Sequence, residues 1–238
     1  MRIRSFVVAY ALLLAILLFA DRRPSPAQQD RYSRVVDLTD ESHDAAPHAA
    51  TGTRTESRTR IIAPGTLIPG TWKAGQIPPE RLVAPLVVLD LSPAIQKNLS
   101  KPISLDDIAA WETHHGMIPQ GAVVAIRRAG PGADLKKDNP KTSDPSTGAL
   151  ASEPFPLTRQ AAMFLIEARY AIGFAVETPV DLSFDRTLAR QLALHGSYVV
   201  EGAARFTLLP PTGSLVIVAP AKNRKSGEAA VRLLAMVQ

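Results

Sequence analysis

With 238 residues, 46% of them hydrophobic, and with 14 Gly and 20 Pro, the chain can bury one sizeable core, and a single domain is expected. The formal charge of +5 overstates its basicity: four of the 27 basic residues (Arg2, Arg4, Arg22, Arg23) and one of the 22 acidic ones (Asp21) precede the cleavage point read below, leaving 23 against 21, or +2. No Lys/Arg run with interleaved aromatics occurs, so nucleic acid is not an expected partner, and the absence of cysteine excludes disulfides, thiolate metal ligands and cysteine nucleophiles.

Arg2 and Arg4 precede an apolar run over residues 5–20 (SFVVAYALLLAILLFA), and Ser25-Pro26-Ala27 places small residues at the −3 and −1 positions of a cleavage site. Residues 1–27 therefore read as a signal peptide, and residues 28–238 as a periplasmic or secreted domain. The alternative is an uncleaved anchor that contacts the membrane through residues 5–20 alone. At the helical rise that run covers roughly 24 Å, short of a hydrocarbon core of ~30 Å.

The β-branched run at Val35, Val36 and Thr39 predicts a strand, and residues 40–55, rich in small polar residues and broken by Pro47, predict a loop. His43 and His48 lie in that loop without a third ligand at metal-motif spacing and read as solvated. Pro64, Pro69, Pro78, Pro79 and Pro85 exclude a long helix between 61 and 85, leaving loop and extended chain. LVVLDL at 86–91 has the continuous apolarity of a strand buried on both faces.

Ser104 with Asp107 predicts a capping box opening a helix that Gly116 ends, and its last-turn His114 and His115 suit the negative end of the helix dipole better than catalysis. GAVVAIR at 121–127 predicts a strand, and the proline-scattered stretch 129–156 a flexible surface loop. Thr158 caps a predicted helix to 169; a strand follows at 172–177, a helix at 185–195 stopped by Gly196, and strands at 198–201, 215–218 and 231–236. The basic stretch at 222–227 reads as a solvated hairpin turn.

Two blocks carry a family resemblance. WKAGQIPPERLVAPLVVLD at 72–90 and ISLDDIAAWETHHGMIPQGAVV at 103–124 resemble the cyclase family, the kynurenine formamidase-like metal-dependent hydrolases. Weaker similarity continues through Glu177-Thr178-Pro179 and residues 202–210, while Arg127-Arg128-Ala129-Gly130 lacks the aromatic of the family's Arg-Thr-Gly-Trp. The resemblance implies an α/β fold: a single compact domain with a mainly β core of the swivelling β/β/α type, flanking helices and assembly into homo-oligomers.

It also implies a metal loop, His-x-Gly-Thr-His-x-Asp-x-Pro-x-His, in which the histidines and aspartate bind the ion. The ungapped register places the family's threonine on Thr59 and its proline on Pro64, so the ligands fall on Glu56, Arg60, Ile62 and Thr66. A second register puts them on Ala63, Leu67, Pro69 and Lys73. Neither restores the site, so no metal cofactor is expected; Zn or Mn is the alternative if an altered ligand set exists. The family's later His/Glu pair falls on Ala189 and Glu201, with His195 a poor substitute six residues away.

Glu201 is thus the catalytic candidate if activity persists, and Glu56, Arg60, Thr66 and Trp72 are the candidate pocket residues. Arg60 is a permanent cation, and with Glu56 and Glu201 it is expected to form an ion-pair network where the dication would sit. A pocket of that kind would take a small polar or anionic ligand without hydrolysing it. The open alternative is a divergent hydrolase of amide, lactam or aryl-formamide bonds.

Overall fold

The computed structural model describes residues 32–40, 59–90, 101–127 and 152–238. Two units are distinguished, Met1–Ser33 with Gln238 and Arg34–Val237, and every element named below belongs to the second. Its strands are β1 (Arg34–Asp37), β2 (Arg60–Ile62), β3 (Val83–Asp90), β4 (Val123–Arg127), β5 (Gly173–Val176), β6 (Tyr198–Glu201), β7 (Ser214–Pro220) and β8 (Glu228–Val237). Its helices are the single turn α1 (Pro64–Leu67), α2 (Leu105–His115), α3 (Arg159–Ala168) and α4 (Arg186–Leu194).

β3, β4, β5 and β6 run parallel, β7 joins β3 and β2 joins β6, both antiparallel. β8 then pairs with β7 along one edge and with β2 and β1 along the other, so β2-β6-β5-β4-β3-β7-β8 closes into a barrel-like ring. Closure leaves no free edge within the ring. The seam depends on its shortest member, since β2 has three residues and must satisfy both β6 and β8.

Alternation along each strand sorts side chains into two cores. Leu86, Val88, Val123, Ala125, Tyr198, Val200, Val216 and Leu233 fill the ring, while Val87, Leu89, Val124, Ile126, Phe174 and Val199 face outward under Ile108 and Trp111 of α2, Leu165 of α3 and Leu188 and Leu192 of α4. Burial on both faces explains why β3 to β6 read as unbroken apolar runs.

The helix signals read from the sequence are present. Ser104 and Asp107 form the capping box, with the Ser104 amide 2.8 Å from Asp107 Oδ2, and Gly116 ends α2 at φ +85°. Thr158 Oγ1 accepts from the Ala161 amide at 3.2 Å to start α3; α4 starts on a cap not singled out in the sequence, Asp185 Oδ1 accepting from the Leu188 amide at 3.0 Å. His114 and His115 are exposed, and His114 Nδ1 lies 2.8 Å from the Ala110 carbonyl, a contact inside the last turns of its own helix.

Two readings sharpen. Residues 60–62, at the start of the stretch expected as loop and extended chain, form a ladder strand, because the closing of the ring supplies partners that three residues cannot advertise. The expected loop at 129–156 lies largely outside the described residues, but its end is anchored: Phe155 is buried, its ring edge-on to Phe174, and Glu153 bridges to Val180.

Inside the ring Tyr198 is fully buried and donates its hydroxyl proton to the Arg81 carbonyl at 2.9 Å, and burial pushes its phenol pKa well up. Gly173, its register partner on β5, makes the room: a Cβ there would lie 2.4 Å from the ring. Gly173→Ala is therefore expected to cost about 2 kcal/mol or more in urea unfolding. Tyr198→Val in the same chain should return part of that loss, whereas strictly additive losses would show that ring and backbone do not meet.

Candidate functional site

Antiparallel pairing of β2 with β6 sets Arg60 directly opposite Glu201, and pairing with β8 sets Ile62 opposite Glu228. Because neighbours two apart share a face, Arg60, Ile62, Glu201 and Glu228 stand together on the outer face of the ring. Arg60 Nη2 lies 3.0 Å from Glu201 Oε1 and 3.1 Å from Glu228 Oε2, and Arg60 Nε donates to Glu201 Oε1 at 3.1 Å. The second oxygen of Glu201 accepts the Val180 amide at 3.1 Å.

Glu201 is the buried member, with 6% of its side chain exposed against 39% for Arg60 and 40% for Glu228. Burial raises its pKa above the ordinary glutamate value; the Val180 amide and Arg60 pull the other way without cancelling it, and Glu228 adds to the rise. Thr59 locks the same corner from below, donating its hydroxyl to the Gly202 carbonyl at 2.7 Å and accepting the Asp40 amide at 2.7 Å.

Of the residues singled out in the sequence, Arg60 and Glu201 are brought together. Glu56, with His43 and His48, lies outside the described residues. Thr66 is exposed and borders the network through Gly227, where a Cβ would come within 2.3 Å of its hydroxyl, next to Glu228. Trp72 belongs elsewhere: its ring packs over Gly196, with the Arg81 guanidinium 5.5 Å from the ring centroid. Gly196 precedes β6 and lies five residues from Glu201, up to roughly 17 Å of extended chain.

Glu228 was not legible in advance. It follows a Ser-Gly turn, and only the pairing of β8 with β2 reveals that its carboxylate reaches Arg60. Ala189, at the place of the family's later histidine, is a buried methyl on α4. His195 is the exposed C-cap of that helix, with its backbone carbonyl turned to Arg81.

A catalytic divalent metal asks for about three nitrogen or oxygen donors and an open position for water. At the ligand positions that are described, Arg60 supplies a cation already engaged by two carboxylates, Ile62 a hydrocarbon that is 7% exposed, and Thr66 a lone hydroxyl. The second register offers Ala63, Leu67, Pro69 and Lys73, with no better donors. These residues do not fit a metal. They form instead a self-contained ion-pair triad whose cation is covalently part of the chain.

The raised pKa of Glu201 has a defined consequence. The folded state holds this proton more readily than the unfolded chain, so the stability owed to Glu201 is greatest at low pH and falls as pH rises above the ordinary glutamate value. Removing Arg60 lifts the carboxyl further, so Arg60→Met should cost about 2 kcal/mol at pH 8, discounted for the partial exposure of the pair, and under about 1 kcal/mol at pH 5. Glu201→Gln in the same chain should flatten that difference. Equal losses at both pH values in urea titrations would contradict it.

The family described as "Putative cyclase" matches residues 29–182. Among solved structures the fold is similar to isatin hydrolase A from Ralstonia solanacearum, 25% identical over 86% of this chain and 92% of that one, with a TM-score of 0.67. It is also similar to isatin hydrolase A from Labrenzia aggregata bound to benzyl benzoate, 23% identical over 96% and 99% of the two chains, TM-score 0.66. A potential metal-dependent hydrolase with cyclase activity is 22% identical over 86% and 98%, TM-score 0.59. No curated protein matches the chain. The mixed α/β ring with flanking helices and the matched span together place the chain in the putative cyclase family, whose solved relatives are of the metal-dependent hydrolase type.

Proposed function

We propose that this chain is an exported cyclase-family domain that has exchanged metal for an internal guanidinium and acts as a non-catalytic, small-ligand-binding or structural relative. The carrying observation is Arg60 held 3.0 and 3.1 Å from two carboxylates on the face where the family's ligand positions fall. A fixed cation there neutralises Glu201 without supplying an open coordination site, so no bound water is made acidic for attack on an amide or lactam carbonyl. Export is supported by the apolar segment at 5–20 and the cleavage pattern after it.

Glu228 refines the ligand. With both carboxylates ionised, the three described charges sum to −1, which favours a neutral or hydrogen-bond-donating polar molecule over an anion. The competing reading, a hydrolase with an altered Zn or Mn set, has one feature in its favour: the buried carboxyl of Glu201 with its raised pKa is the kind of group that moves protons in catalysis.

Metal analysis and an isatin ring-opening assay on the mature domain, with and without added Mn or Zn, separate the two. The expected result is well under one metal per chain and no hydrolysis above the buffer rate. One tightly held metal per chain, with turnover that Glu201→Gln abolishes, would overturn the proposal.

A further inference from the structure

A second concave site lies at the start of α4. A cavity of about 220 Å³ opens between the 154–157 segment and the turn from Asp181 to Leu188. Its floor is hydrocarbon: Phe155, Leu157, Leu182 and Leu188 are each 7% exposed or less. Phe184 stands at the mouth, 67% exposed, with its ring free to meet a ligand.

The polar residues of the lining are two aspartates. Asp181 Oδ1 accepts the Ser183 amide at 2.8 Å, and Asp185 accepts the Arg159 guanidinium through both oxygens at 2.8 and 2.9 Å as well as the Leu188 amide. These contacts hold both carboxyl groups below the usual aspartate range: the Ser183 contacts come first for Asp181, the Arg159 hydrogen bond for Asp185. An ionised carboxylate accepts and cannot donate. The lining therefore rejects an anion and rewards a molecule that brings N–H donors and positive charge.

We propose that this cavity is a binding site for a small aromatic or aliphatic amine, its apolar body on Phe155, Leu182 and Leu188 and its ammonium between Asp181 and the face of Phe184. The volume suits one ring with a short arm, since a cavity of roughly 150 Å³ takes benzene, and the ammonium gains from the aromatic face as well as the carboxylate. Arg159 neutralises Asp185, which leaves Asp181 as the charge that selects the cation. The site holds none of Arg60, Glu201 and Glu228, so it stands whether or not the ion-pair reading of that triad is right.

The probe is benzylamine, with benzyl alcohol and benzoate as controls, read by amide chemical-shift perturbation and calorimetry on the full domain. Benzylamine is expected to shift amides within 153–157 and 181–188, benzyl alcohol to bind more weakly and benzoate not at all. Asp181→Asn, at an exposed carboxylate where asparagine keeps the turn-capping oxygen, and Phe184→Ala should each weaken benzylamine about fivefold or more with the fold unchanged. Benzoate binding as tightly as benzylamine, shifts centred elsewhere, affinity indifferent to Asp181→Asn, or no binding at 10 mM (roughly the weakest affinity worth calling a site) would each overturn it.

Discussion

Arg60 is the constraint on which the rest of the structure turns. The ring closes through β2, which has three residues and two neighbours, and Arg60 bonds a carboxylate on each: Glu201 across on β6 and Glu228 diagonally on β8. A strand this short contributes few ladder hydrogen bonds, and the side-chain clamp supplements them together with the flanking Ala63–Gly227 and Val231–Thr59 backbone hydrogen bonds. The same three groups include two of the positions on which the family's motifs fall, Arg60 and Glu201, so the clamp that closes the ring is also the centre of the proposed site.

That arrangement also explains why a buried carboxylate is tolerated. Glu201 sits at the end of a strand buried on both faces, where an isolated charge would be costly. The Val180 amide satisfies one oxygen and Arg60 the other, and the residual excess of burial appears as a raised pKa instead of a broken fold. A metal ion would supply the same compensation only as long as it stayed bound, whereas a guanidinium is present whenever the chain folds.

The sequence revealed the architecture better than the site. Capping signals at Ser104 and Thr158 are local chemistry and both are present, and the apolar run at 86–91 announced a strand covered on both faces. β2 escaped because three residues between a loop and a proline have no periodicity to read, and its identity comes from partners nearly 140 and 170 residues away. Arg60 and Glu201 were paired in advance only through the register of a family motif. Glu228 had no motif, and Trp72, whose motif was strong, turned out to pack over Gly196 as part of the fold. Contact across a sheet is a long-range property, and a site built from cross-strand pairs is legible only once the register is known.

On the proposed reading, Arg60 takes the place of a metal ion beside Glu201. The most direct test of that reading is a carboxyl-carbon NMR titration of Glu201 followed with and without millimolar Mn²⁺. The account predicts an elevated titration midpoint that Arg60→Met moves higher, and a resonance that Mn²⁺ leaves sharp. Selective broadening of the Glu201 signal by Mn²⁺ in the unaltered chain, with a midpoint indifferent to Arg60, would contradict it.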